Sequence, residues 1–111
     1  MIEERSFEFS LLIIKLVKNL KENNEYIFAN QLLRSATSIG ANVAEASAGQ
    51  SKIDFTSKIA IASKEARETC YWLRLIKEGS ITDLELNTYL DEIEQIIKIL
   101  TKIVKTSQES I

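Results

Sequence analysis

The catalytic chemistry open to this chain is limited by two residue types. The sequence contains no histidine and one cysteine, Cys70. Without histidine, neither a Ser-His-Asp triad nor a Cys-His pair can form, and a ferritin-like di-iron site lacks its Glu-x-x-His motifs. Gly-rich phosphate loops, Cys-x-x-Cys pairs and acidic calcium loops are also missing from the sequence. We therefore predict a non-enzymatic protein that binds no metal or cofactor, with Cys70 in its core.

The polar residues that remain as candidates follow one face of a single predicted helix. A row with heptad spacing runs from Gln31 to Glu45, and Arg34 lies at its edge. Glu65 and Glu68 on the next predicted helix add two carboxylates. A buried arginine or carboxylate needs a partner. We therefore favour structural ion pairs for these groups, with the partner supplied by the next helix or by a neighbouring subunit, and a ligand site is the alternative.

The helix that carries the polar row also carries an apolar seam. The seam positions follow a 3-4-3-4-3 spacing, typical of a face buried against other helices: Ala29, Leu32, Ala36, Ile39, Val43 and Ala46. A third face is mostly small, so that another backbone could approach closely: Leu33, Thr37, Gly40 and Ala44. A free surface helix would favour long charged residues at such positions. We therefore predict that this helix is enclosed on most sides.

Four helices are predicted along the chain, because apolar residues recur with a helical period and no proline interrupts them. Asn23 and Asn24 separate the first two helices, and Gly49 is expected to end the second as a left-handed C-cap. Capping boxes at Ser51–Asp54 and Thr82–Glu85 are expected to open the third and fourth. Short connections predict an all-α, antiparallel up-down-up-down four-helix bundle. The single predicted domain spans 1–111, with helices at 6–22, 25–47, 51–78 and 83–107 and fraying expected over 107–111.

Basic residues at the end of the fourth helix form a second candidate site. Lys98, Lys102 and Lys105 share one face, and acidic residues precede them on the same helix. This order complements the helix dipole, so helix stabilisation is the favoured interpretation, and contact with phosphate is the alternative. On the third helix, Trp72 lies beside the apolar seam, where it could cover a bundle edge, fill an interface or stack on a base.

Composition limits the partners and the compartment that we expect. The formal charge of -2 gives no bulk attraction to nucleic acid or to an anionic membrane. Apolar runs are shorter than the roughly 20 residues of a membrane span, and the N-terminus lacks the basic region of a signal peptide. One cysteine cannot form an internal disulfide, which suits a reducing compartment. We therefore expect a cytoplasmic protein without a membrane partner.

Two long motifs carry a resemblance to a known family. Residues 31–46 read QLLRSATSIGANVAEA, and residues 61–75 read IASKEARETCYWLRL, after SKIDF at 51–55. The first motif resembles the signature of the four-helix-bundle proteins encoded in intervening sequences of bacterial large-subunit (23S) rRNA genes. The second motif, together with the short segment 51–55, resembles one branch of that family. More distantly, the chain is similar to the accessory proteins of diversity-generating retroelements, which are strongly basic pentamers that bind a reverse transcriptase and nucleic acid.

The resemblance implies a compact antiparallel bundle that assembles as a ring-shaped homopentamer with an RNA-associated role. In such an assembly the polar cluster would line the interior or a subunit contact, through Gln31, Arg34, Ser38, Asn42, Glu45, Glu65 and Glu68. Ring symmetry would also bring together candidate nucleic-acid contacts on the third and fourth helices, namely Arg67, Arg74, Lys98, Lys102 and Lys105.

Two functions remain open from the sequence. The first is a homo-oligomeric module that binds RNA through repeated copies of a weak basic patch, with a steep dependence on salt. The second is a protein-interaction scaffold that holds a partner protein against the ring and never touches RNA. The family resemblance favours the first function, and the acidic composition favours the second.

Overall fold

Four α-helices make up the part of the chain that the computed structural model describes, residues 1–49 and 51–109. They are α1 (Ile2–Glu22), α2 (Tyr26–Ser47), α3 (Lys52–Glu78) and α4 (Asn87–Glu109). Each helix packs against its neighbours in sequence, and α1 also packs against α4. Short loops make successive helices antiparallel, and the bundle measures 46 × 20 × 20 Å. The predicted all-α four-helix bundle is confirmed.

The core is a stripe of aliphatic side chains to which all four helices contribute. On α2 the predicted seam is buried along its whole length, and none of its side chains is more than 2% exposed. Alanine at three of the six seam positions lets α1 and α3 approach α2 closely, because ridges of large side chains on one helix fit grooves on the next. Burying each large aliphatic side chain contributes about 1.5–3 kcal/mol. The seam is therefore the face by which α2 enters the core.

The start of α4 differs from its prediction. The helix begins four residues later than expected, at Asn87, because the predicted capping box lies in a loop. Within that loop the Thr82 hydroxyl accepts a hydrogen bond from the Leu84 N–H at 3.2 Å and donates to the side-chain oxygen of Asn19 at 3.3 Å. Glu85 accepts from the Asn87 N–H at 2.8 Å and satisfies one of the first free donors of the helix. The box residues therefore attach the loop to α1 instead of starting α4.

The far end of α4 is also more ordered than predicted. The helix continues to Glu109, and the buried Ser107 hydroxyl is hydrogen-bonded to the Thr56 hydroxyl of α3. The predicted fraying from residue 107 is therefore wrong up to Glu109, and residues 110 and 111 lie outside the described part. The first turn of α4 has no acidic residue and the last turn no basic one, so its charges do not sit where the helix dipole acts most strongly.

The other helix ends show one confirmation and two corrections. The Ser51 side chain accepts a hydrogen bond from the Asp54 N–H at 3.0 Å, which is the predicted N-cap of α3. Gly49 is not left-handed, and α2 ends at Ser47 with Ala48 as its C-cap at φ -95° and ψ 2°. α1 begins at Ile2 instead of residue 6. The extra turn of α1 matters because it carries residues that contact α2 and α4.

One such contact closes the bundle between its first and last helices. The Arg5 guanidinium binds the Glu92 carboxylate with two hydrogen bonds, Nε to Oε2 at 2.6 Å and Nη2 to Oε1 at 3.0 Å. This paired geometry is the strongest form of an arginine–carboxylate contact. Hydrogen bonding to Glu92 raises the pKa of Arg5. The contact therefore fastens the start of α1 to α4, where the packing between helices is thinnest.

Candidate functional site

A polar network joins α2 to α3 on one side of the bundle. The Arg34 guanidinium donates to Glu65 Oε1 at 3.3 Å, to Glu68 Oε2, and to Gln31 Oε1 at 3.1 and 3.2 Å. Trp72 Nε1 donates to the same Glu68 oxygen at 2.9 Å. The side chains of Glu65 and Glu68 are 18% and 33% exposed, and that of Arg34 is 48% exposed. The network is therefore sheltered on its carboxylate side and open to solvent on its arginine side.

The structure brings only part of the predicted polar cluster into this network. The Ser38 hydroxyl donates to the Arg34 carbonyl oxygen at 2.7 Å, and the Asn42 side-chain N–H donates to the Ser38 carbonyl oxygen at 2.8 Å. Both side chains therefore form hydrogen bonds with backbone carbonyl groups of α2 itself. Glu45 forms a separate ion pair with Lys58 of α3, 2.9 Å between Oε1 and Nζ. The partner that the sequence analysis sought for Arg34 and Glu45 comes from α3 of the same chain.

Below this network lies a pair of buried hydroxyl groups. The Thr69 hydroxyl donates to Ser35 Oγ at 2.9 Å, and both side chains are fully buried. Thr69 Oγ1 also lies 2.8 Å from the carbonyl oxygen of Glu65 on its own helix. Buried polar groups are costly unless they are paired. This pair therefore fixes the register of α2 against α3, and it leaves no polar group open for a ligand.

Cys70 and the aromatic residues beside it sit at the edge of the core. Cys70 is half-buried against the core, and burial raises the pKa of its thiol, to which the nearby Glu94 charge adds. A raised thiol pKa disfavours the reactive thiolate. Trp72 is half-buried and held by Glu68, whereas the Tyr71 side chain is 58% exposed and meets the Trp72 ring edge-on with 5.3 Å between centroids. Of these two neighbouring aromatic rings, Tyr71 is therefore the more exposed.

The candidate nucleic-acid contacts are divided between two places. Lys98, Lys102 and Lys105 are exposed on the outer face of α4. Arg67 lies beside them, because its Nη2 donates to the side-chain oxygen of Thr101 on α4 at 3.0 Å. Arg74 is two turns further along α3, about 10 Å away, and forms an exposed pair with Glu78 at 3.6 Å. Arg67 therefore extends the lysine face, and Arg74 stands apart from it.

An open, mostly apolar groove lies between α1 and α2. Its volume is about 660 Å³. Phe7, Leu11 and Ile14 of α1 form one wall, and the side chains of Phe7 and Leu11 are 64% and 49% exposed. The floor consists of small α2 residues, namely Thr37, Gly40, Ala41 and Ala44. We call these residues the α1–α2 groove.

One end of the α1–α2 groove is closed by a polar contact. The Ser47 hydroxyl donates to Glu3 Oε2 at 3.0 Å. Hydrogen bonds from the Glu3 backbone N–H and from the Ser47 hydroxyl lower the pKa of Glu3. The i, i+4, i+7 spacing of Phe7, Leu11 and Ile14 is the sequence signal for this surface. The small face of α2 was predicted from the sequence, but the wall that α1 supplies beside it was not.

Two further properties of the described residues concern metal binding and membrane spanning. Within residues 1–49 and 51–109, no three histidine, cysteine, aspartate or glutamate side chains converge so that they could hold a metal ion. No helix in the same part of the chain is both long enough and apolar enough to span a bilayer.

The comparison with protein families decides the relationship of the chain. The model of the 23S rRNA-intervening sequence protein family matches residues 1–102. The chain belongs to this family. A crystal structure of a protein of unknown function from the S23 ribosomal protein family of Bacteroides thetaiotaomicron is 42% identical, with a TM-score of 0.87. The match covers 95% of this chain and 99% of that chain. The comparison with curated proteins gives no match.

The region that the model of the 23S rRNA-intervening sequence protein family matches contains almost all of the features described above. The matched region includes the α1–α2 groove, the Arg34 network, and Lys98 and Lys102 of the basic face, whereas Lys105 lies beyond it. The family description names a gene context and no reaction. The family therefore agrees with the fold and leaves the function to be argued from the surfaces.

Proposed function

We propose that this member of the 23S rRNA-intervening sequence protein family is a non-enzymatic, self-associating module that binds RNA through the outer face of α4. The observation that carries the RNA proposal is the basic face itself. Lys98, Lys102 and Lys105 are exposed on one side of the helix, and Arg67 extends that side. Among the described residues, the ion pairs are made by other cations, so the three lysines are available for phosphate.

A local basic face can bind phosphate although the chain carries a formal charge of -2. The potential near a surface depends on charges within about one Debye length, which is roughly 8 Å at physiological salt. Asp91 and Glu92 lie about 9 Å or more before Lys98 along α4 and are outside that length, whereas Glu94 lies one turn before Lys98, about 6 Å along the helix, and offsets part of its charge. A single copy would bind weakly, and several copies in one assembly would bind a long RNA through many such faces at once.

Charge reversal on α4 tests the RNA proposal. The triple variant Lys98→Glu, Lys102→Glu, Lys105→Glu should lose binding to a labelled poly(U) strand and to 23S rRNA, measured by fluorescence anisotropy. Wild-type affinity for the single strand should fall steeply with salt, with a log–log slope of about -3 for four phosphate contacts per copy.

The matched control reverses two exposed lysines outside α4, Lys15 and Lys77, and is compared with the double variant Lys98→Glu, Lys102→Glu, so that the net charge changes by the same amount. This control should keep most of the affinity if binding is local to α4. Equal losses in both variants would mean that only net charge matters. Unchanged binding in the α4 variant would contradict the proposal, provided that both variants keep the wild-type oligomer mass and circular dichroism.

A protein-interaction scaffold is the second candidate function, and the α1–α2 groove together with the acidic net charge favours it. Under this alternative, a specific partner protein would co-purify with the chain from its source cells and would stay bound after nuclease treatment. Under the RNA proposal, nuclease treatment would release the co-purified material.

Self-association completes the proposal, and the family resemblance suggests five copies in a ring. It is supported by the amount of apolar surface that the isolated chain leaves open. Large exposed apolar side chains occur on α1, α2 and α3, among them Phe7, Tyr26 and Tyr71. Monomeric proteins rarely leave large contiguous apolar patches in contact with water.

A further inference from the structure

Among the described residues, five of the large exposed apolar side chains lie on two surfaces of the bundle. The α1–α2 groove is concave, because small residues form its floor between the larger side chains of α1. The second surface is the outer side of α3, where Ile61, Tyr71 and Leu75 are 39%, 58% and 38% exposed. Together with Lys64, which shares their side of the helix, we call these residues the α3 ridge.

The two surfaces lie on different sides of α2. In the bundle, α2 packs between α1 and α3, and α1 and α3 lie diagonally across the core from each other. The α1–α2 groove and the α3 ridge therefore face directions that differ by about 90 to 135° around the bundle axis, as expected for four helices at the corners of a square. One copy cannot cover its own groove with its own ridge.

We propose that the α1–α2 groove of one copy receives the α3 ridge of a second copy of this chain. This inference rests on the proposed self-association and names the surfaces that carry it. Contact between two grooves would put two concave surfaces together and would leave both ridges in water. Contact between groove and ridge covers both apolar surfaces and sets large side chains against small ones, which is how well-packed interfaces are built.

The α1–α2 groove and the α3 ridge also lie at the same level along the bundle axis. Glu3 meets Ser47, and Ser35 meets Thr69, so that these contacts fix α1, α2 and α3 relative to one another. Because each helical residue rises about 1.5 Å, Phe7 lies level with Ile61 of the same chain, and Lys21 lies level with Leu75.

A rotation about an axis parallel to the helices preserves these heights. It would therefore place the ridge residue Ile61 of one copy against Phe7 of the next. At the other end, Glu78 would lie near Lys21 of the next copy, so the charges there would attract each other. The height of the ridge and the charge at its end are thus both compatible with a second copy as the occupant of the groove.

Such a contact is head-to-tail and can repeat until the assembly closes. Contact faces about 90 to 135° apart close a ring of roughly four to eight copies, a range that includes five. In this ring α2, which lies between the two contact faces, would face the axis. α4 occupies the opposite corner of the bundle and would face outward. The lysine face would then remain accessible on the outer rim.

Cysteine pairs test the contact directly. In a Cys70→Ser background, Ala41→Cys in the groove and Lys64→Cys on the ridge are exposed and lie at nearly the same height. With a short bis-maleimide, the double variant should give a ladder of covalent oligomers that ends at the ring size. Either single variant alone should give none. The matched control pair, Ala41→Cys with the exposed α4 residue Gln95→Cys, should also give none.

Three other crosslinking results are informative, and each contradicts a different part of the proposal. A covalent dimer from Ala41→Cys alone would replace the groove-to-ridge contact by a groove-to-groove contact. A wild-type oligomer in which the double variant does not crosslink would overturn the named surfaces and leave self-association standing. A monomeric wild-type protein would overturn the proposed self-association, and this inference with it.

Discussion

At the scale of single residues, Arg34 is the most heavily used polar group in the described chain. It bridges two carboxylates of α3 and an amide of its own helix, and Trp72 completes the network through Glu68. A guanidinium can serve several acceptors at once because its five N–H donors lie in a fixed plane. Glu65, which is mostly buried, depends on this arginine for its charge partner.

Replacing Arg34 tests how much the network contributes to stability. Arg34→Ala should lower the free energy of unfolding by about 1 kcal/mol, because Glu65 and Glu68 lose their charged partner while half of the arginine was already solvated. Arg34→Lys should recover only part of this loss, since a single ammonium cannot reach all three acceptors. Urea unfolding followed by circular dichroism measures both changes.

The exposed pair of Arg74 with Glu78 provides the control for this experiment. Arg74→Ala should change the free energy of unfolding by less than about 0.5 kcal/mol, as is usual for an exposed pair between neighbouring helical turns. If Arg34→Ala and Arg74→Ala have equal effects, the Arg34 network is no more important than a surface contact.

At the scale of helices, the two sides of α2 that carry alanine have different roles. Ala36 is completely buried in the core seam, whereas Ala41 lies on the open floor of the α1–α2 groove. Both residues are alanine, and they differ only in the side of α2 on which they lie. This difference gives a matched pair of substitutions.

Enlarging each alanine to leucine should separate folding from assembly. Ala36→Leu should lower the free energy of unfolding by about 1–3 kcal/mol, because the added atoms have no space in the seam. Ala41→Leu should leave folding within about 0.5 kcal/mol of wild type, since its side chain points into the open groove. It should instead reduce the oligomer mass in analytical ultracentrifugation, because the groove is filled.

The reverse pattern would contradict the assignment of these two sides. If Ala41→Leu unfolds the chain, or if Ala36→Leu leaves both stability and mass unchanged, α2 is rotated relative to the description given above.

The helices and the seam of α2 could be predicted because apolar period and the lack of proline are local properties of the sequence. The start of α4 could not be predicted, since the residue types of Thr82 and Glu85 are compatible both with a capping box and with a loop. The loop conformation is stabilised by the contact of Thr82 with Asn19, which is distant in sequence. The ion pairs of Arg34 and Glu45 were expected in kind, but their partners depend on the register between α2 and α3.

At the scale of the whole molecule, the surfaces of the bundle are unevenly distributed around α2. The α1–α2 groove lies on one side of this helix, the Arg34 network lies on the other, and the basic face of α4 is diagonally opposite. Self-association through the groove and the ridge would therefore cover the apolar sides and leave the lysines in solvent. Assembly and RNA binding would then use separate surfaces of each copy.

Native mass spectrometry on protein purified gently from its source cells tests the central claim most directly. We expect a five-fold multiple of the chain mass, with additional mass that nuclease treatment removes. A bare five-fold mass would retain the ring and contradict the RNA proposal, in favour of a protein scaffold. A bare monomer would contradict the account as a whole, because the α1–α2 groove and the α3 ridge would then have no partner.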